Sequence, residues 1–151
     1  MKRNKAPAAP VPATITDIPE IRPGQSVALL QELHILTRDG KLNQDSRRKL
    51  KQVYHLYQFI EPLLQQVLDA RGDVSLVDHG AGKSYLGFIL YDLFFKPRGV
   101  GHIYGIETRS ELVEKSRALA QRLAPALGTT QHPGVHPPLP VFAGVLAATS
   151  P

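Results

Sequence analysis

The chain has 151 residues, 42% of them hydrophobic, with no cysteine and a formal net charge of +5. That length suits one domain with one core. The missing thiols exclude disulfides and thiolate-ligated metal sites, and a modest positive excess permits nucleic-acid contact without requiring it.

Residues 1–23 hold five prolines (Pro7, Pro10, Pro12, Pro19, Pro23) and begin with Lys2, Arg3 and Lys5, so this stretch buries little apolar area and is expected to be flexible. It lacks the uninterrupted apolar core of a secretory signal, and no run of about 20 apolar residues is present to span a bilayer. The expected setting is cytoplasmic, without a membrane partner. The spacing then predicts a long helix over 43–70, capped at its start by Asn43 or Asp45 and stopped by Gly72. At about 100° per residue, Leu50, Val53, Tyr54, Tyr57, Ile60, Leu64 and Leu68 share one face, with Arg47, Arg48 and Lys51 off it. Pro62, inside the pattern, is expected to bend or divide the helix.

A strand over 74–77 follows, then a glycine turn and a helix over 83–95 that is apolar almost all round and must be covered on several sides. After Pro97-Arg98-Gly99 comes a second strand over 102–106, ending at Glu107. Next is a helix over 111–123, capped by Thr108 or Ser110, whose Leu112, Val113, Leu119, Ala120 and Leu123 can face a sheet. Strand, helix, strand, helix in that order predicts an α/β fold with two parallel strands. Residues 124–151 break the pattern: they contain no Asp, Glu, Lys or Arg, and six prolines. Within them only 139–148 is apolar enough for a short strand or buried segment. The domain organisation expected is therefore a flexible 1–23, a partial α/β domain over 24–123, and an irregular tail over 124–151.

Three ligands suit a glycine turn after a strand. A phosphate-binding loop needs Gly, four residues, then Gly-Lys-Ser; Gly82-Lys83-Ser84 supplies the end, but Val77 stands where the first glycine belongs. A dinucleotide fold needs G-x-G-x-x-G, and Tyr85 occupies the third glycine position. The third reading fits better. Asp78-His79-Gly80-Ala81-Gly82-Lys83-Ser84 resembles the D/E-x-G-x-G-x-G loop of class I S-adenosylmethionine-dependent methyltransferases, with Ser84 in place of the last glycine. Extended to Tyr85-Leu86, it is similar to a branch found in proteins described as glutathione-S-transferase C-terminal-domain-containing or rRNA adenine dimethylase-like. The basic helix Lys49-Leu50-Lys51-Gln52-Val53-Tyr54-His55 shares in that likeness, which spans roughly residues 31–123.

The resemblance implies a Rossmann-like parallel sheet and S-adenosylmethionine as cofactor. Its binding residues would be Asp78, Gly80, Ala81, Gly82, Lys83 and Glu107, with Asp78 accepting from the ammonium group and Glu107 from the ribose hydroxyls. Lys83 has an equally ordinary alternative as a solvated lysine covering apolar surface. RNA is the preferred acceptor, from the resembled branch and from Arg47, Arg48, Lys49 and Lys51, with protein and small molecules left open. A basic solvated helix face is the commoner meaning of such a run, and a non-enzymatic remnant or nucleic-acid-binding module is the rival reading. His79 is read as packing or exposed, His132 and His136 as too poorly spaced for a metal, and Tyr54, Tyr57 and Phe59 as core. The expected seven-stranded sheet is incomplete, because only two strands are legible. No catalytic residue is assigned, and the apolar 83–95 helix is expected to lack part of its cover. The chain reads as the amino-terminal half of a larger methyltransferase, truncated or with an altered tail, its oligomeric state open.

Overall fold

Residues 18–123 and 140–144 are described by a computed structural model. Helix α1, Val27–Glu32, starts at Ser26, whose hydroxyl accepts the Leu29 N–H, and it buries Leu29 and Leu30. Helix α2, Gln44–Arg71, is capped by the Asn43 side chain, which accepts the Ser46 N–H at 2.8 Å. It ends at Gly72 in the left-handed conformation, as the sequence suggests. The helix is not divided at Pro62. Leu50, Val53, Tyr57 and Leu64 are buried and Tyr54, Ile60 and Leu68 partly so, the predicted face. Phe59 departs from expectation: it is 64% exposed and forms a second, uncovered stripe with Leu56, Leu63 and Val67. Phe59 lies about 100° or more round the helix from the buried arc, so chemistry alone placed it in the core and angle did not.

Strand β1, Ser75–His79, leads to α3, Tyr85–Leu90, a π-helical turn at Tyr91–Phe95, and the one-turn α4, Lys96–Arg98. The predicted single helix is thus three pieces, and it starts at Tyr85 because Ser84 is left-handed. The expectation that this element lacks cover is overturned. Phe88, Ile89, Leu90, Tyr91, Phe94 and Phe95 are wholly buried, worth about 1.5–3 kcal/mol for each such side chain. The cover comes from residues before α2, which carry no strong periodic signal: Ile21, Leu29, Leu30, Leu33, Ile35 and Leu36 join the same core. A buried carboxylate fixes this docking. Asp92 accepts the Ser26 N–H at 2.6 Å and pairs with Lys96, so the start of α1 is tied to the π-helical turn. Gly101, at φ +102, closes the corner before the next strand.

Strand β2, His102–Glu107, and helix α5, Ser110–Leu123, follow as predicted, with Ser116 added to the inward face and Leu112 only half-buried. Ser110 is the first helical residue, and the Leu112 and Val113 N–H groups donate to the Arg109 carbonyl. A third strand, β3, Val141–Gly144, lies in the apolar 139–148 stretch and pairs parallel to β2, giving the order β1-β2-β3. Of the stretch 1–23 expected to bury little apolar area, Ile21 joins the core, while residues 1–17, with His132, His136 and the tail at 124–139 and 145–151, lie outside the described residues.

Helices α3 and α5 pack on one face of the sheet, with α2 behind α3 and α1 beside α5. On the other face Val77, Tyr104 and Val141 stand in register across the three strands and are 46%, 39% and 51% exposed. No helix among the described residues is long and apolar enough to cross a membrane.

Candidate functional site at the carboxyl ends of β1 and β2

The strand register puts the two expected carboxylates on one side of the sheet. Asp78 pairs with Gly105, and Glu107 lies two residues further along β2, so Asp78 and Glu107 both project from the helix-covered face. Gly105 offers no side chain to crowd Asp78. Between them runs the glycine turn, held down on β2 rather than standing free. The Gly80 and Ala81 N–H groups both donate to the Ile106 carbonyl, at 2.7 and 3.0 Å. The Gly82 N–H donates to Glu107 Oε2 at 2.9 Å.

These bonds bear on the choice of ligand. A phosphate-cradling loop works by aiming its N–H groups at the anion, whereas three successive amides of this loop are spent within the protein. Gly80 and Gly82 have φ of +71° and +58°, which L side chains rarely adopt. A Cβ built on Gly80 meets nothing within 4 Å, so space lies open above the turn. A nucleoside with an amino-acid tail fits that description better than a polyphosphate does.

The two carboxylates are tuned in opposite directions. Glu107 is buried and accepts from the Arg109 Nε at 3.1 Å, the Arg109 N–H at 3.1 Å, the Arg109 Nη2 at 3.2 Å and the Gly82 N–H. The Arg109 side-chain bonds, then the two backbone donors, lower its pKa to about 2. Asp78 is half-buried, accepts no hydrogen bond among the described residues, and is pushed up by desolvation, partly offset by His79. A carboxylate with spare acceptor capacity and a raised pKa is stabilised by a cation brought to it. Perturbed carboxylates at neighbouring strand ends are common where ligands bind.

Ser84 fills the position where the resembled loop carries its last glycine. It is buried, at φ 63° and ψ 23°, and its hydroxyl lies 2.9 Å from that of Ser116 on α5. A left-handed non-glycine residue costs about 1–2 kcal/mol; here the Ser84–Ser116 bond offsets part of it by tying the turn to α5.

Of the six expected residues, Asp78, Gly80, Ala81, Gly82 and Glu107 form one continuous constellation. Lys83 is exposed and lines a separate cleft of about 430 Å³ with His34, Tyr85, Leu112, Lys115 and Ser116. His79 is exposed. The residue that sequence reasoning missed is Arg109. Its signal was a long cation two positions past the acid at a strand end, close enough to fold back on it.

Among proteins of curated function, none matches the sequence. A crystal structure of magnesium protoporphyrin IX methyltransferase from Synechocystis PCC 6803 with bound SAH aligns with a TM-score of 0.42 and 14% identity, covering 81% of this chain. The chain spans about half of that protein, 48% of its length. A family described as a methyltransferase domain matches residues 48–135, which include most of α2, β1, the glycine turn, β2 and α5. S-adenosylmethionine is the methyl donor such a domain uses. With more than half its length so matched, the chain belongs to this methyltransferase-domain family.

Proposed function

We propose that the chain binds S-adenosylmethionine at the tips of β1 and β2 as the cofactor-holding part of a methyltransferase, with RNA as the acceptor. The observation that carries the cofactor reading is the bond from the Gly82 N–H to Glu107 Oε2, which joins the glycine turn to the second strand tip. Asp78 would receive the ammonium group, the open space at Gly80 the methionine part, and Glu107 the ribose hydroxyls. For Glu107 to do so, the exposed Arg109 guanidinium must yield some of its hydrogen bonds, whereas the Gly82 bond can remain. When bound, the sulfonium supplies an activated methyl group, and the work left to the protein is placement.

Calorimetric titration of the purified chain with S-adenosylmethionine and with its demethylated product tests this. Binding lost in Glu107→Ala supports the reading; binding that is absent, or indifferent to both Glu107→Ala and Asp78→Ala, overturns it. RNA as acceptor rests on the exposed basic side of α2. There Arg47 and Lys49 are engaged by Glu20 and Asp45, at 2.9 and 3.0 Å, and Arg48 and Lys51 have no ion-pair partner among the described residues. The same observation supports a second reading, a nucleic-acid-binding module without catalysis. Salt-sensitive RNA binding in a chain that does not take up the cofactor would favour it.

A further inference from the structure

We infer that the cleft between α1, the start of α3 and α5 is a binding site for a nucleotide, with the phosphate taken by Lys83 and Lys115 and the base by Tyr85. This cleft is separate from the β1–β2 constellation, and the inference does not rest on the cofactor reading. Its volume of about 430 Å³ falls in the range of small-ligand sites.

The chemistry of its walls is divided. Leu33, Leu112 and Leu119 make an apolar side, and half-buried Tyr85 lines it as well, with the Lys49 ammonium 5.9 Å from its ring centre, which leaves one ring face for a base. The remaining wall is cationic. Arg122 is neutralised by Glu32 at 3.1 Å, but Lys83 and Lys115 have no carboxylate or hydrogen-bond partner among the described residues. They come from different elements, Lys83 from the glycine turn and Lys115 from α5, and converge on one concavity. Two unpaired ammonium groups facing a shared space repel each other, and an anion between them removes that repulsion. An aromatic face beside paired cations is how proteins hold single-stranded nucleotides without reading sequence. A polyanion without a base would leave Tyr85 and the leucine wall unused; an apolar ligand would leave the lysines unused.

The site has a consequence for the turn. Ser116 lies in the cleft wall and bonds Ser84, and Lys83 directly follows Gly82. A nucleotide seated here is held one residue from the glycine turn.

The test uses the whole chain and two probes, AMP by calorimetry and a short labelled oligouridylate by fluorescence anisotropy at low salt. The Lys83→Ala/Lys115→Ala double variant is compared with Lys41→Ala/Arg71→Ala, which removes the same charge from outside the cleft. The expected result is a loss of about tenfold or more in the first and little change in the second, with the salt slope for RNA shallower by about 0.7 for each lysine removed from the cleft. Tyr85→Leu should weaken both probes while keeping the salt slope. Binding of AMP alone identifies a free nucleotide as the ligand; binding of the oligonucleotide with AMP weak or silent identifies a strand. Equal loss in the two double variants, or no binding of either probe, overturns the inference. Titration with the demethylated cofactor separates the two proposals: a chain that takes up that ligand and fails here disproves only the cleft, and the converse disproves only the cofactor site.

Discussion

The two faces of the sheet differ more than any other pair of surfaces in the molecule. On the helix-covered side, Ile103 contributes to a core in which the whole Phe88–Phe95 segment is hidden, apart from half-buried Leu93. On the other side, Val77, Tyr104 and Val141 form an apolar row left 39–51% exposed, with only the neighbouring His102 ring stacked on Tyr104. The strands are the same; only what lies across from each side differs. Stability is therefore concentrated on one side, and the strand-end carboxylates Asp78 and Glu107 share it.

Truncations on the covered side should test that comparison most severely. Phe88→Ala is expected to cost about 3–5 kcal/mol, read as a shift in the urea midpoint by circular dichroism. If that variant unfolds no earlier than wild type, the segment is not the core that holds the fold. Gly101→Ala should come next, at about 2–4 kcal/mol, since it combines overpacking with a strained backbone. The added Cβ would sit 2.5 Å from the Phe95 ring and 2.8 Å from the Val74 carbonyl, at a φ of +102°.

Ser116→Ala should follow, at about 1–3 kcal/mol, because it leaves the buried Ser84 hydroxyl without its partner. Ser84→Gly relieves the backbone and loses the same bond, so its effect should be smaller. A double-mutant cycle that shows no coupling between the two serines would mean the bond does not form in solution.

The smallest effects belong to the bare side. Tyr104→Thr is expected to change stability by about 0.5 kcal/mol or less while reducing the binding of an apolar fluorescent dye. A large destabilisation there would show that this face is covered in solution.

Acid should discriminate between the carboxylates. The Glu107 pKa falls from the ordinary 4.5 to about 2, so its contribution to stability is present above about 4.5 and disappears as pH falls through 2. Asp78 has the opposite sign: its raised pKa means that its ionisation opposes folding as pH rises. Glu107→Gln should flatten the acid limb of the stability profile, and Arg109→Ala should move that limb to higher pH. A profile unchanged by either would mean that Glu107 is not held as the structure has it.

Several features were legible because they are local. The arc of Leu50, Val53, Tyr57 and Leu64 follows from angle alone, and Asn43 and Gly72 mark its ends by well-understood cap chemistry. The sequence of strand, acid and glycines placed Asp78, Gly80 and Gly82 at a strand end, and the second strand put Glu107 beside them. Other features involved distant parts of the chain and had no local signal. The burial of Asp92 against Ser26 spans 66 residues, and the Ser84–Ser116 bond spans 32. Neither pairing leaves a trace in composition or period.

What the amino-acid order decided by itself was the succession of elements and the residues at their tips, since capping, periodicity and turn chemistry act over a few positions. Beyond the helix faces set by period, tertiary structure decided which apolar surfaces would be hidden. Phe59 and Phe88 are chemically identical, yet one is 64% exposed and the other wholly buried. Residues 21–36 happen to fold over Phe88, and no described element reaches Phe59. Burial depends on what arrives from elsewhere in the chain, and that is a property of the assembled fold.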